Sequence, residues 1–571
     1  MNNLEIADLL RAVAASYELR DAVRNKFKIV AYERAADAVE HLTSETKDIW
    51  DEGKLEEIPG VGPSIAQHLD EIFRTGTSKH FVDTMKNFPS LVFDLMELPK
   101  IGPKTALKIV QEYKAKTITD LKGTEYYAAL IKSQKEIKRY LLPYALGFAE
   151  EIIAWMQKNK EVIRIDPLGS LRRKASTVGD IDISVATNNP ERVINHFVNY
   201  PKSKKTIEQG THTSSILLPG EVQVDLMVQP VESYGSLLQH FTGSKHHNIA
   251  LREYALKKGL SLSEYGIRNI KTRTSNIKQF SSEENFYNYL GMDWIPPELR
   301  EDSGEIEGAV SHNLPDLLKI SDVKADLQIH SDFDIETSHD LGESSMEDLV
   351  EKADILGYEY IAFTEHNPSK SRHNEKQILE ILKRKKARIE QLNYSIVKSK
   401  FKCIKYVFNS LEIDLSSDGE RSIPDSAMEL LDFALVSIHS NFDLSTDKMT
   451  KRVLTGLNHP KAKIFAHPTA RKLNEREGVE LNWPEIFEFA VKFNKWIEIN
   501  ADPMRLDLPD NLVRDAVGKG VKLTLGTDAH HADMMDNMIY GVYVGRRGWA
   551  ERSDIINTNK FADFKNFLER G

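Results

Sequence analysis

The second half of this chain carries the pattern that most restricts its fold. From about residue 323 to 571, short apolar runs recur, each ending in polar residues: Asp326 to His330, Tyr360 to His366, Leu411 to Asp414, Ala434 to His439, Ile464 to His467, Trp496 to Asn500 and Leu523 to His530. Helix-length segments separate most of them, so the spacing predicts a repeating strand–helix unit. Closed into a barrel, such strands gather their polar ends at one mouth, where barrel enzymes keep their sites. Five ends carry a histidine (His330, His366, His439, His467 and His530), and Glu412 and Asp528 join them. A lone strand-end histidine is commonly a hydrogen-bonded structural residue. Five together with two carboxylates favour a metal cluster.

The first half is organised differently. Residues 1 to about 150 read as helical, with helix-period apolar spacing from Leu4 to Ala15 and from Ile29 to Leu42. Two segments, Leu55 to Ala66 and Leu95 to Ala106, share one plan: an apolar helix end, a proline, a glycine turn and a proline at a helix start. The turn glycines are Gly60 and Gly62 in the first copy and Gly102 in the second, where Lys100 stands in place of the first glycine. A turn of this kind offers backbone N–H groups at a helix N-terminus, which can hold a phosphate. The pair resembles helix-hairpin-helix motifs, which grip the DNA backbone without reading its sequence.

From Ile163 to Val228 the pattern changes to strands, with Lys202, Lys204 and Lys205 expected in a solvated loop. Gly169-Ser170-Leu171-Arg172-Arg173 is followed by Asp180 and Asp182, spaced so that a strand puts both on one face. Glu221 to Val228 alternates, with Val222, Val224, Leu226 and Val228 on one side and Asp225 on the other. Three converging carboxylates repel one another unless divalent cations lie between them, and oxygen-ligated Mg2+ is the natural candidate. An Asp-x-Asp alone is weak, because exposed strand faces are often acidic; the glycine-serine turn and the third aspartate give it weight. Residues 233 to about 300 are mixed, and Pro296-Pro297 with the acidic Glu298 to Glu307 stretch reads as the start of a linker.

At 571 residues and 41% hydrophobic content, the length fits roughly three to five domains. One cysteine, Cys403, excludes an intramolecular disulfide framework and suits a reducing compartment. With no opening signal-like run and no apolar run of spanning length, the chain is expected to be soluble and cytoplasmic, without a membrane partner; a monomer is expected. The net charge of -10 argues against a wholly basic nucleic-acid binder and leaves local basic faces open.

Together these motifs closely resemble the polymerase X family in its bacterial form with a C-terminal PHP domain, over nearly the whole chain. The resemblance implies a multidomain α+β and α/β protein. Its expected parts are a helical DNA-end-binding domain with a helix-hairpin-helix (1–90), fingers with the second hairpin (91–150), a nucleotidyltransferase palm (151–232), a thumb (233–300), a linker (301–322) and a distorted (β/α) barrel of PHP metallophosphoesterase type (323–571). Gly169 to Arg173 matches the family's Gly-Ser-x-Arg-Arg motif. By that match Gly169, Ser170 and Arg173 would meet the incoming triphosphate, and Asp180, Asp182 and Asp225 would be catalytic and bind Mg2+ or Mn2+. His240-Phe241-Thr242-Gly243-Ser244 stands for the thumb's Tyr-Phe-Thr-Gly-Ser, with His240 in place of the tyrosine, which touches sugar discrimination. Phe241, Gly243, Asn248 and Arg252 would lie beside the nucleotide, with Lys245 adding positive charge. Gly60, Gly62 and Gly102 would contact DNA.

In the barrel, His330, Glu412 and Asp528 would share one metal and Glu412, His439 and His467 a second, with His366 and His530 at the remaining positions. Mn2+ or Zn2+ is the implied ion. The sequence departs from the family at Gln328, where the opening motif has histidine, and at Glu365, where Thr-Asp-His becomes Thr364-Glu365-His366. The family's aspartate after the first motif has three competitors, Asp332, Asp334 and Asp340. Glutamine is a poor transition-metal ligand, so a partly weakened cluster is expected. His68 stands where lyase-active relatives carry a Schiff-base lysine, which excludes that chemistry through this residue; a polar helix-surface role is expected for it. The function implied is a DNA-directed DNA polymerase filling short gaps during repair on gapped or primer-template DNA with deoxynucleoside triphosphates, joined to a weakened 3′ to 5′ exonuclease or phosphoesterase. The alternative is a phosphoesterase of DNA ends whose polymerase half serves mainly to bind DNA; a non-enzymatic DNA-end scaffold fits the intact carboxylates least.

Overall fold

The computed structural model describes all residues except 2, 41–45, 52, 59, 97–100, 125, 128–138, 272–275 and 570–571. The chain divides into two compact units, Met1–Trp294 and Ile295–Gly571.

The first unit begins with helices Asn3–Asp21 and Lys26–Glu40, whose apolar faces meet Leu55, Ile58, Val61, Ile65, Leu69 and Phe81 in one core. Helices Pro63–Thr75 and Pro103–Tyr113 each start with proline behind a glycine N-cap, Gly62 and Gly102. Both caps have ordinary extended backbone, and a Cβ at either would meet nothing within 4 Å. Gly60 differs: its φ is +76°, and a Cβ would lie 3.1 Å from the Arg34 backbone, so glycine is required there. Pro59 and the second motif's Leu98, Pro99 and Lys100 lie outside the described residues.

A five-stranded sheet follows, in the order Arg164–Pro167, Ile181–Ala186, Gln223–Gln229, Thr213–Leu217 and Lys205–Gln209. The second and third strands run parallel and the other neighbours antiparallel. The stretch read as strands is thus interrupted by helix Pro190–Val198, which Asn189 caps by accepting from the Arg192 N–H. Lys202 and Lys204 form ion pairs with Glu151 and Glu221. Helices Tyr234–Thr242 and Lys245–Lys257 then lead into a small antiparallel sheet.

The second unit holds the parallel strands expected from the apolar runs. Ala325–Ile329, Tyr360–Phe363 and Tyr406–Asn409 form one sheet; Glu412–Asp414, Ala434–Ser437, Ala462–Phe465, Trp496–Asn500 and Lys522–Gly526 form another. Bridges His366–Glu412 and Ile329–Ala529 join the two sheets on both sides, so the strands close on themselves and their C-terminal ends share one mouth. The segment 301–322 is not a loose linker. Arg300 and Glu305 are fully buried, Glu298 and Glu301 pair with Arg546 and Arg547, and Leu318 belongs to the barrel's core.

Candidate functional sites

The sheet of the first unit sets three carboxylates side by side. The parallel register places Asp182 directly opposite Asp225, and Asp180, just before the same strand, completes a group whose oxygens lie within 4.8 Å of one another. Ser215, on the neighbouring strand, donates to Asp225 Oδ1, and Gln223 Nε2 donates to both its oxygens at 3.0 Å. Burial, with the charges of Asp180 and Asp225, pushes Asp182 up to about 7 against the pull of Arg173; partial desolvation and Asp225 raise Asp180 as well. Three acids that repel one another and offer only hard oxygens fit divalent cations of the Mg2+ class.

The turn before this strand is shaped around Asp182. Gly169 has φ +55°, and a Cβ there would lie 2.3 Å from Asp182 Oδ2; Leu168 N–H donates to the Asp182 carbonyl at 2.8 Å. Ser170 and Arg173 stand on the same turn. Arg173 Nη1 donates to the Thr242 carbonyl at 2.5 Å, tying the turn to Phe241 and Gly243 at the end of the next helix. Asn248 accepts from Gln239 and donates to the His240 carbonyl, and Arg252 is exposed nearby. Desolvation lowers the pKa of His240. The motif's other arginine carries a role that sequence reading missed: Arg172 makes a two-pronged ion pair with Glu283, at 2.6 and 3.0 Å, and donates to Thr242 Oγ1. His68 is half-buried and stacked on His80, ring centroids 4.3 Å apart, with burial lowering its pKa.

The barrel mouth gathers the five strand-end histidines named from the sequence. Among the described residues, four sets of three have ligand atoms within 4.8 Å of one another: His330, His366, His530; His339, His366, His439; Glu412, His439, His467; and His330, Glu412, Asp528. Buried Nδ1 atoms of His330, His366 and His467 have no hydrogen-bond partner. Orphaned buried imidazole nitrogens of this kind fit metal ligation. Against burial, Asp528 and Glu412 push His330 up to about 10; Glu412 and Asp414 push His439 up to about 9. Glu412 itself is held well below the usual carboxylate range, against burial, by His366, His467 and His439.

Two residues at the mouth, His339 and Asp414, were not named from the sequence. His339, next to Asp340, bonds Asp414 Oδ2 at 2.7 Å, and Asp414 Oδ1 accepts from His439 Nδ1 at 2.7 Å. Of the three competing aspartates, Asp340 is the one whose charge acts on His530, while Asp332 faces Glu347 and Asp348 and Asp334 accepts from the Glu336 N–H. Glu365 points away from the histidines: it pairs with the fully buried Lys385 and accepts from Ser331.

A carboxylate-bearing nucleotidyltransferase sheet and a histidine-rich parallel barrel in one chain define a class with two metal-dependent centres. Comparison with known proteins gives the family. The chain aligns end to end with the DNA polymerase/3′-5′ exonuclease PolX of Bacillus subtilis, 32% identical over 590 aligned positions covering 100% of both. It is also 24% identical to DNA polymerase lambda of Rattus norvegicus, over 52% of this chain and 56% of that protein, and 39% identical to the human DNA-directed DNA/RNA polymerase mu over 80 residues, 14% and 16% of the two chains. Residues 1–78 match a helix-hairpin-helix domain family and residues 237–301 the DNA polymerase beta thumb family. The chain belongs to the family X DNA polymerases. Among the described residues, no helix is long and apolar enough to cross a membrane.

Proposed function

We propose that this polymerase fills short gaps in duplex DNA, with Asp180, Asp182 and Asp225 as the cation-binding and catalytic carboxylates. The observation that carries the reading is the register that seats Asp182 opposite Asp225 on a glycine turn with no room for a side chain. Bound Mg2+ or Mn2+ supplies charge stabilisation to the attacking hydroxyl and the leaving pyrophosphate. The chain's own residues do the rest. Ser170 and Arg173 stand beside the carboxylates to receive the triphosphate, and Asp225, oriented by Ser215 and Gln223, is placed to accept the proton of the primer 3′-hydroxyl. Phe241 and Gly243 flank the nucleotide, with Asn248 and Arg252 beside it. The open N–H groups behind Gly62 and Gly102 suit DNA phosphates.

The barrel supports a second activity, phosphodiester cleavage at the primer 3′ end, carried by the unpartnered imidazole nitrogens at its mouth. His330, His366, His439, His467, His530 and Glu412 would hold Mn2+ or Zn2+, with Asp528 set against His330 beside them. One assay tests both readings: a gapped, 5′-phosphorylated duplex with Mg2+ or Mn2+, deoxy- and ribonucleotides compared, scoring extension and shortening of the primer. Extension that persists in Asp180→Ala and Asp225→Ala removes the first reading; shortening that persists in His439→Ala removes the second.

A further inference from the structure

The four ligand sets at the barrel mouth are not equivalent. In the set His330, Glu412 and Asp528, the carboxylate oxygens are already engaged. Gln328 Nε2 donates to Glu412 Oε2 at 3.0 Å and lies 3.5 Å from Asp528 Oδ1. These are the same oxygens that face His330 Nε2, at 3.4 and 3.1 Å.

The orientation of that amide follows from the backbone. Asp502 N–H donates to Asn500 Oδ1 at 3.0 Å, and a backbone N–H cannot reverse its role. Asn500 Nδ2 is therefore the atom that faces inward, donating to Gln328 Oε1 at 3.4 Å and to Asp528 Oδ2 and Glu498 Oε2 at 3.2 Å each. Gln328 and Asn500 are fully buried. Turning Gln328 so that its oxygen met a cation would set its NH2 against that of Asn500, two donors with no acceptor between them. Arg505 adds a full charge from the other side, its Nε 3.5 Å from Asp528 Oδ2 and 3.8 Å from Asp502.

We propose that this position takes no metal ion: the Gln328 amide and the Arg505 guanidinium stand in for the cation between Glu412 and Asp528. The barrel is then a two-ion centre, one ion on His330, His366 and His530 and the other on Glu412, His439 and His467; the remaining set draws its His366 and His439 from these two, and its third member, His339, is bonded to Asp414. This rests on reading the barrel mouth as a metal centre.

The test counts ions. Full-length chain carrying Asp180→Ala and Asp225→Ala, so that the palm does not contribute, is stripped with chelator, reloaded with Mn2+ and analysed by mass spectrometry for bound metal. Two equivalents are expected; three overturn the proposal, and so do one or none. Gln328→His in the same background is expected to gain a third equivalent while keeping its circular-dichroism melt; a folded Gln328→His that still binds two overturns the assignment of Gln328. Should that variant not fold, Gln328→Glu, which replaces the donor by an acceptor of the same length, is held to the same criterion. Primer shortening is scored separately, on wild-type chain. Two ions without shortening would remove the nuclease reading and leave this proposal standing, whereas three ions with shortening would do the reverse.

Discussion

In the palm, burial together with Asp180 and Asp225 pushes Asp182 up to about 7. In the barrel, Glu412 and Asp528 are buried at least as deeply, yet both sit below the usual carboxylate range, held there by histidines and, for Asp528, by Arg505. The carboxylates move in opposite directions because Asp182 has few positive partners whereas Glu412 and Asp528 face histidines and, for Asp528, Arg505; Glu498, in the same barrel, is pushed up by burial and by Asp528 and Glu412. A centre left uncompensated depends on its cations for charge balance during the reaction. A centre that carries its own counter-charges keeps its shape without them and can lose one cation position to an amide and a guanidinium.

That contrast predicts a sharp separation of effects. Asp225→Ala, or Asp180→Ala, should reduce primer extension by about 10³-fold or more, since a cation at a developing phosphoryl charge supplies several kcal/mol, while primer shortening continues. Residual extension within tenfold of wild type in a gapped-duplex assay would break the comparison at its palm side. The reciprocal change, His439→Ala, removes a ligand that faces both Glu412 and His467, at 3.0 and 3.4 Å. Shortening should fall by at least about 10²-fold, the most that loss of a ligand's outer-shell partner costs, with extension unchanged.

Gly169→Ala is a milder test of the palm. The new Cβ would lie 2.3 Å from Asp182 Oδ2 at φ +55°, so the carboxylate must shift while its charge remains. A displacement of about 1 Å costs on the order of 10²-fold in rate. Extension near wild-type rates, measured with saturating Mg2+, would show that Asp182 does not need its place on the turn.

The parts of these centres that could be read from the sequence are those set by strand periodicity. Asp182 and Asp225 lie on alternating strands with Asp180 just before the first, and His330, His366, His439, His467 and His530 follow apolar runs, so local pattern places them. Asp414 was equally readable, two residues after Glu412 on the same strand face. What local pattern does not carry is pairing between distant segments: Arg172 with Glu283, Gln328 with Asn500, or Asp528 with Arg505, the last from a loop with no period. The stretch 301–322 shows the limit of composition. Its acids, and the prolines just before it, look like a solvated linker, but Glu305 accepts from the Asp302 and Ser303 N–H groups ahead of its helix, and Glu301, with Glu298 before it, meets arginines 246 or more residues away. Composition counts acids and cannot show whether they are paired.

Proton competition gives the smallest effect and separates the centres most finely. In the palm the competing proton sits on Asp182, raised from 3.8 to about 7. Between those two values the folded metal-free palm holds a proton that the unfolded chain has released, so its stability falls as pH rises through that window, and added Mg2+ should reverse the trend. Below 7 each pH unit then lowers apparent Mg2+ affinity by about tenfold for one displaced proton, and above 7 the affinity levels off. In the barrel the competing protons sit on His439 and His330, raised to about 9 and about 10; there affinity should keep rising with pH beyond 8. Half-saturating Mg2+ for extension and Mn2+ titration of the barrel, each at pH 6, 7, 8 and 9, read the two windows. Equal pH profiles would mean that the palm carboxylates are compensated by the protein after all.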